Sequence, residues 1–173
     1  MEYRVTQETA DRNKGVTICD RPNQFDHRGM VLRATCEIEN EFADLLLTFF
    51  KMQNPTFAEV RARKDLFSEN GLLNSLNRMT KLGSYLGLVS ADEAHDFRSI
   101  ARLRNQFAHG PRRDQFYRDS DAAAAVRALK LVCNSEEVFA GFDEQGIFLA
   151  CQEHLVAMLR DRGAGLARVS GAV

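Results

Sequence analysis

Residues 90–111 read Ser-Ala-Asp-Glu-Ala-His-Asp-Phe-Arg-Ser-Ile-Ala-Arg-Leu-Arg-Asn-Gln-Phe-Ala-His-Gly-Pro, and they spell one complete helix with a start and a stop. Ser90 and Glu93 have capping-box spacing, in which each side chain takes the other's free backbone N–H. Gly110 stands where a left-handed residue closes a helix, and Pro111 forbids continuation. Ala94, Phe97, Ile100, Ala101 and Ala108 fall on its core side, with Phe107 at the edge. Its last turn carries Arg104-Asn105-x-x-x-His109, the one group of residues with evident chemistry.

Outward from this helix the same period recurs. Toward the N-terminus, Leu72, Leu76, Met79, Leu82 or Gly83, and Leu86 predict a helix over 72–86, closed by Gly87. Thr56 to Leu66 predicts a short helix with Phe57, Val60 and Leu66 inward. A long helix from Asp26 to Gln53 carries Val31, Ala34, Ile38, Phe42, Leu45, Leu46 and Phe49 on one stripe. Asp26 caps its start, and Asn54-Pro55 ends it. Its carboxylates Glu37, Glu39, Glu41 and Asp44 form a solvated face, or turn one member inward to hold an arginine of the central helix. Toward the C-terminus, Ala125, Val126, Leu129, Val132 and Cys133 predict a helix over 121–133. Asn134 to Asp143 reads as a connection. Ile147, Phe148, Cys151, Leu155, Met158 and Leu159 predict a last helix over 144–162, stopped by Gly163.

No segment alternates with period two, so the fold class is all-α: a bundle of four main helices plus one or two short ones. The expected division is a flexible arm over 1–20, a single helical domain over 21–163 and a frayed tail over 164–173.

The chain has 173 residues and a net charge of −1. That is ample for one core, and its bulk charge does not attract nucleic acid. Such binding needs a local basic patch, and Arg102, Arg112, Arg113 and Arg118 cluster around the end of the central helix. The alternative is a solvated loop with ion pairs to Asp114 and Asp119. Cys19, Cys36, Cys133 and Cys151 form no Cys-x-x-Cys pair, so zinc is not expected, and the last three read as small buried apolar residues. The N-terminal residues lack an apolar leader, and the longest apolar run, Leu45 to Phe50, is too short for a bilayer. The expectation is a cytoplasmic protein with no membrane contact, no metal and no cofactor.

At 3.6 residues per turn, Asn105 and His109 stack on one helix face, while Arg104 points round the helix but can bend toward its end. Two readings compete. In one, Arg104 and His109 satisfy the last carbonyls of the helix and Asn105 ties down the turn at Gly110. In the other, the three residues cleave RNA. A histidine titrating near neutrality moves a proton at the ribose 2′-oxygen or at the leaving oxygen, and an arginine fork holds the phosphoryl charge. No metal is needed when the 2′-hydroxyl is the nucleophile, and two such sets across a twofold axis would make a fuller site.

The run Leu66-Phe67, Asn70-Gly71-Leu72-Leu73, Leu82-Gly83-Ser84-Tyr85-Leu86-Gly87-Leu88-Val89 and Leu103-Arg104-Asn105-Gln106-Phe107-Ala108-His109 resembles the mannitol operon repressor (MltR) family. So does Asp26-His27-Arg28-Gly29 leading into a long helix. The likeness spans residues 26–162 and implies a helical regulatory domain that acts in transcription through protein contacts. Arg104 to His109 also resembles the Arg-Asn-x-x-x-His motif of HEPN domains. That likeness implies a HEPN-like bundle and a metal-independent endoribonuclease working as a homodimer. Arg104 and His109 would then be catalytic, with Asn105 in support. Pro111 stands where one HEPN subgroup has a tyrosine that is adenylylated, so that modification is not expected. The implied partners are a second copy, a transcription factor or antitoxin, and RNA in preference to DNA.

Overall fold

The computed structural model describes residues 27–54, 56–109, 116 and 120–170. The arm over 1–20, the cap expected at Asp26, the Gly110–Pro111 stop, Cys19, and Arg112, Arg113 and Arg118 lie outside the described residues.

Helix α1, His27–Gln53, buries Val31, Ala34, Ile38, Phe42, Leu45 and Leu46. Phe49 is only half-buried. Helix α2, Glu59–Phe67, buries none of its residues. Val60, expected inward, is 88% exposed. Phe67 at the end of α2 packs against the core, and two exposed ion pairs add to this: Arg63 with Asp44 of α1, and Lys51 at 3.6 Å from Glu59.

Helix α3, Leu76–Tyr85, begins later than the apolar period suggests. Leu72 is 75% exposed and sits in the preceding turn. That turn folds back on α2, with the Leu73 N–H donating to the Leu66 carbonyl at 2.7 Å. A Cβ at Gly71 would lie 2.2 Å from the same carbonyl oxygen, so only glycine fits. The helix starts where Glu39 of α1 accepts the Leu76 N–H at 3.1 Å. It ends in a Schellman turn: Gly87 has φ +71°, its N–H donates to Ser84, and the Leu88 N–H donates to Gly83.

Helix α4, Ala91–His109, is the central helix. The capping box forms as its spacing predicts. The Ser90 N–H donates to Glu93 at 2.7 Å, and the Glu93 N–H donates to the Ser90 hydroxyl at 3.3 Å. Phe97 is fully buried and meets Phe42 edge-on, with ring centroids 5.1 Å apart. Phe107, expected at the edge, is buried because Phe116 covers it at 5.1 Å and stacks on toward Phe148 at 5.5 Å.

The single helix expected over 121–133 is two: α5, Asp121–Arg127, and α6, Lys130–Cys133. The cause lies in α4. Asp96 is 3% exposed. Its carboxylate accepts the Lys130 N–H at 2.6 Å and the Leu131 N–H at 3.0 Å. Those donors start a new helix, Leu129 turns out of the helical region and its side chain is fully buried. A further short helix, α7, Glu136–Phe139, lies within the expected connection.

Helix α8, Glu144–Ser170, passes through Gly163 and Gly165, so Gly163 is not its stop. Glycine in a helix interior costs about 1 kcal/mol. Packing offsets it, because Leu166 rests on the core and Arg162 is tied to α4.

The bundle is wholly helical among the described residues. His27 meets Gln145, and Glu41 meets Arg160, so α1 and α8 run parallel. Arg28 meets Ala108, and Glu93 meets Arg162, so α4 runs antiparallel to both. The acidic side chains of α1 face α8, α3 and α2 rather than pairing with an arginine of α4: Glu37 accepts from Gln152 at 3.0 Å, Glu41 from Arg160 at 2.7 Å, and Asp44 pairs with Arg63. Of the described cysteines, Cys151 is buried while Cys36 and Cys133 are exposed. Burial, with the Asp96 charge behind it, pushes the Cys151 thiol up to about 12. No described helix is long and apolar enough to cross a membrane.

Candidate functional site at the end of the central helix

The last turn of α4 is seated by the first residues of α1. Arg28 donates to the Ala108 carbonyl at 2.6 Å. The His27 Nδ1 accepts the Phe116 N–H at 3.4 Å, so its Nε2 is the protonated nitrogen and donates to Gln145 at 3.1 Å. Phe116 then packs on Phe107. The helix end is thus held by His27, Arg28 and Phe116, none of which belongs to the Arg-Asn-x-x-x-His motif.

The motif residues are left with other arrangements. Arg104 is half-buried, and its guanidinium bends to donate to the Asn105 amide oxygen at 3.1 Å. Neither Arg104 nor His109 bonds to a described backbone carbonyl. Asn105 and His109 are exposed. Arg104 and Asn105 line a small crevice of about 120 Å³ with Thr35, Glu39, Asn77 and Ala101.

That crevice shares Asn77 with a larger groove between α3 and α4, of about 640 Å³, lined by Asn77, Lys81, Ser84, Tyr85, Arg98 and Arg102. Along α4, Arg98, Arg102, Asn105 and His109 follow one another at steps of four, three and four, which stacks them on one face. All four are exposed. Arg102 also donates to the Ser99 hydroxyl at 3.1 Å. Lys81, Arg98, Arg102 and Arg104 form no ion pair with a described residue. Several other arginines are matched, Arg127 with Glu144, Arg160 with Glu41 and Arg162 with Glu93, while Arg33, Arg78 and Arg168 also form no ion pair with a described residue.

Of the four arginines expected to make a basic patch, Arg102 lies in this groove, and the other three fall outside the described residues. Lys81, Tyr85 and Arg98 were not singled out by the sequence. The spacing of Arg98 to Arg102 and of Lys81 to Tyr85, each i to i+4, carried the signal. Among the described residues no group of three His, Cys, Asp or Glu side chains could hold a metal.

No match to this chain was found among protein-family models, curated proteins or solved structures.

The arrangement offers a fork of donors at Arg104, an amide at Asn105 that fixes that fork, and an exposed imidazole one turn further on. Those groups suit binding a phosphodiester and moving a proton beside it.

Proposed function

We propose that this chain is a metal-independent endoribonuclease of the HEPN type. One observation supports it above the rest: Arg28 takes the Ala108 carbonyl, which leaves Arg104, Asn105 and His109 turned to a crevice and to solvent. In this reading the ribose 2′-oxygen attacks the adjacent phosphorus while His109 accepts its proton. The bond from phosphorus to the 5′-oxygen breaks, and that oxygen leaves with a proton. The products are a 2′,3′-cyclic phosphate and a 5′-hydroxyl. Arg104 holds the non-bridging oxygens as their charge grows, and Asn105 orients the guanidinium. A second copy of the chain, related by a twofold axis, supplies the imidazolium that protonates the leaving oxygen.

The test is cleavage of a single-stranded RNA by the purified protein in the presence of a chelator. Cleavage that persists with chelator and falls about 10²–10⁴-fold in His109→Ala is the expected result. If the wild type leaves RNA intact, or His109→Ala cleaves at the wild-type rate, the enzyme reading is overturned.

A second reading is a regulatory module like the mannitol repressors, working through protein contacts as a homodimer or with a DNA-binding partner. The exposed Val138 and Phe142, 69% and 54% accessible, favour it. Under that reading Val138→Ser with Phe142→Ser abolishes partner capture and regulation, and His109→Ala leaves both unchanged.

A further inference from the structure

The groove between α3 and α4 raises a question separate from the chemistry at its end. Lys81 and Tyr85 lie on its α3 side, Arg98 and Arg102 on its α4 side. The Tyr85 ring is 77% exposed. An exposed tyrosine flanked by three cations without described carboxylate partners is a feature that a buried core does not require. The three cations match a polyanion that runs between the helices, and the ring offers a flat face on which a base stacks. The cationic face continues to Asn105 and His109, and from Arg98 to His109 it extends about 16 Å at 1.5 Å of rise per residue.

We infer that this groove is a track for single-stranded RNA. Lys81, Arg98 and Arg102 hold successive phosphates, Tyr85 stacks one base, and the strand is delivered to the turn bearing Arg104, Asn105 and His109. The inference rests on the endoribonuclease reading for its destination, but the binding itself does not depend on cleavage. Single-stranded RNA fits better than duplex, because a stacking ring needs a base whose face is free. It fits better than an acidic peptide, because a peptide carboxylate leaves the Tyr85 face unused.

The experiment is fluorescence anisotropy of a labelled 12-nucleotide oligouridine, a blunt RNA duplex and an oligoglutamate peptide, titrated with full-length protein across a salt series. The expected result is preference for the oligouridine over the other two. Lys81→Gln/Arg98→Gln/Arg102→Gln is expected to lower the slope of log affinity against log salt by about 2. Tyr85→Ala is expected to weaken binding about tenfold, and Tyr85→Phe to retain it. All four positions are exposed, and circular dichroism of each variant is the control for folding. Equal binding of duplex, preference for the peptide, or an unchanged salt slope in the triple variant overturns the track.

Cleavage by the same proteins separates the two proposals. If the track variants bind and cleave like wild type, the groove assignment fails while the enzyme reading stands. If the wild type binds through the groove but does not cleave, the enzyme reading fails while the track stands.

Discussion

The two ends of α4 handle charge in opposite ways. At the start, Glu93 closes the capping box and is gripped by both arms of Arg162, at 2.8 and 2.6 Å. The same Arg162 also donates to the Leu88 carbonyl at 2.7 Å, so one guanidinium ties α8 to the turn before α4 and to its first turn. From the middle of the helix to its far end, Arg98, Arg102 and Arg104 have no described carboxylate partner, and His109 stands in solvent. One end spends its charges on holding the fold together. The other leaves them available to something outside the chain. The contrast separates the part of α4 that ties the bundle together from the part that faces outward, and it yields an ordered set of stability changes.

The largest change belongs to Asp96, which serves the well-knit half of α4. Asp96→Ala removes the acceptor for two backbone donors at the start of α6, and is expected to lower unfolding free energy by about 3 kcal/mol in urea melts. Asp96→Asn retains one acceptor oxygen and should lie between it and wild type.

Arg162→Ala comes next, with a loss of about 1–2 kcal/mol. It also changes how stability depends on acid. Burial raises the Glu93 pKa, but the hydrogen bonds from Arg162 and Ser90, with the Arg162 charge, outweigh it and hold the carboxyl below its ordinary value. The unfolded chain therefore takes up this proton at a higher pH than the folded one. Its stabilisation is complete above the ordinary carboxylate range and is lost as pH falls through the depressed value. Glu93→Gln should flatten that part of the pH profile, which chemical denaturation at a series of pH values measures. A slope equal to wild type would place the acid sensitivity elsewhere.

Arg28→Ala follows, with a loss of about 0.5–1 kcal/mol from an exposed bond to the Ala108 carbonyl. His109→Ala is expected to change stability by less than about 0.5 kcal/mol. A loss from His109→Ala comparable to that from Arg162→Ala would erase the contrast between the two ends and return His109 to a structural role.

What the sequence disclosed follows the range of the forces involved. The capping box of α4, the buried face of α1 and the glycine closure at Gly87 are local, and residues a few positions apart contain their cause. The break at Leu129 was not visible, because the carboxylate that makes it, Asp96, lies on another helix. The run of α8 past Gly163 was hidden for the same reason: Arg162 and Leu166 find their partners across the bundle. Val60 and Leu72 looked like core residues on period alone. Chain reversal at Gly71 leaves Leu72 in solvent, and α2 meets the core through Phe67 at its far end, which leaves Val60 outside. In the candidate site, the motif was legible as a spacing, but the substitution of Arg28 for its expected capping role was not. Nor was the groove, since Lys81 and Tyr85 come from one helix and Arg98 and Arg102 from the next.

The parallel pairing of α1 with α8 has a consequence for how the protein is made. Glu41 and Arg160 are separated by 119 positions in the chain, and much of the α1 stripe is completed by the last long helix. A ribosome releases α1 many seconds before α8, at roughly 5–20 residues per second. During that interval Ile38, Phe42 and Leu45 lack their full cover, and the apolar stripe of α1 is exposed to whatever else the nascent chain meets.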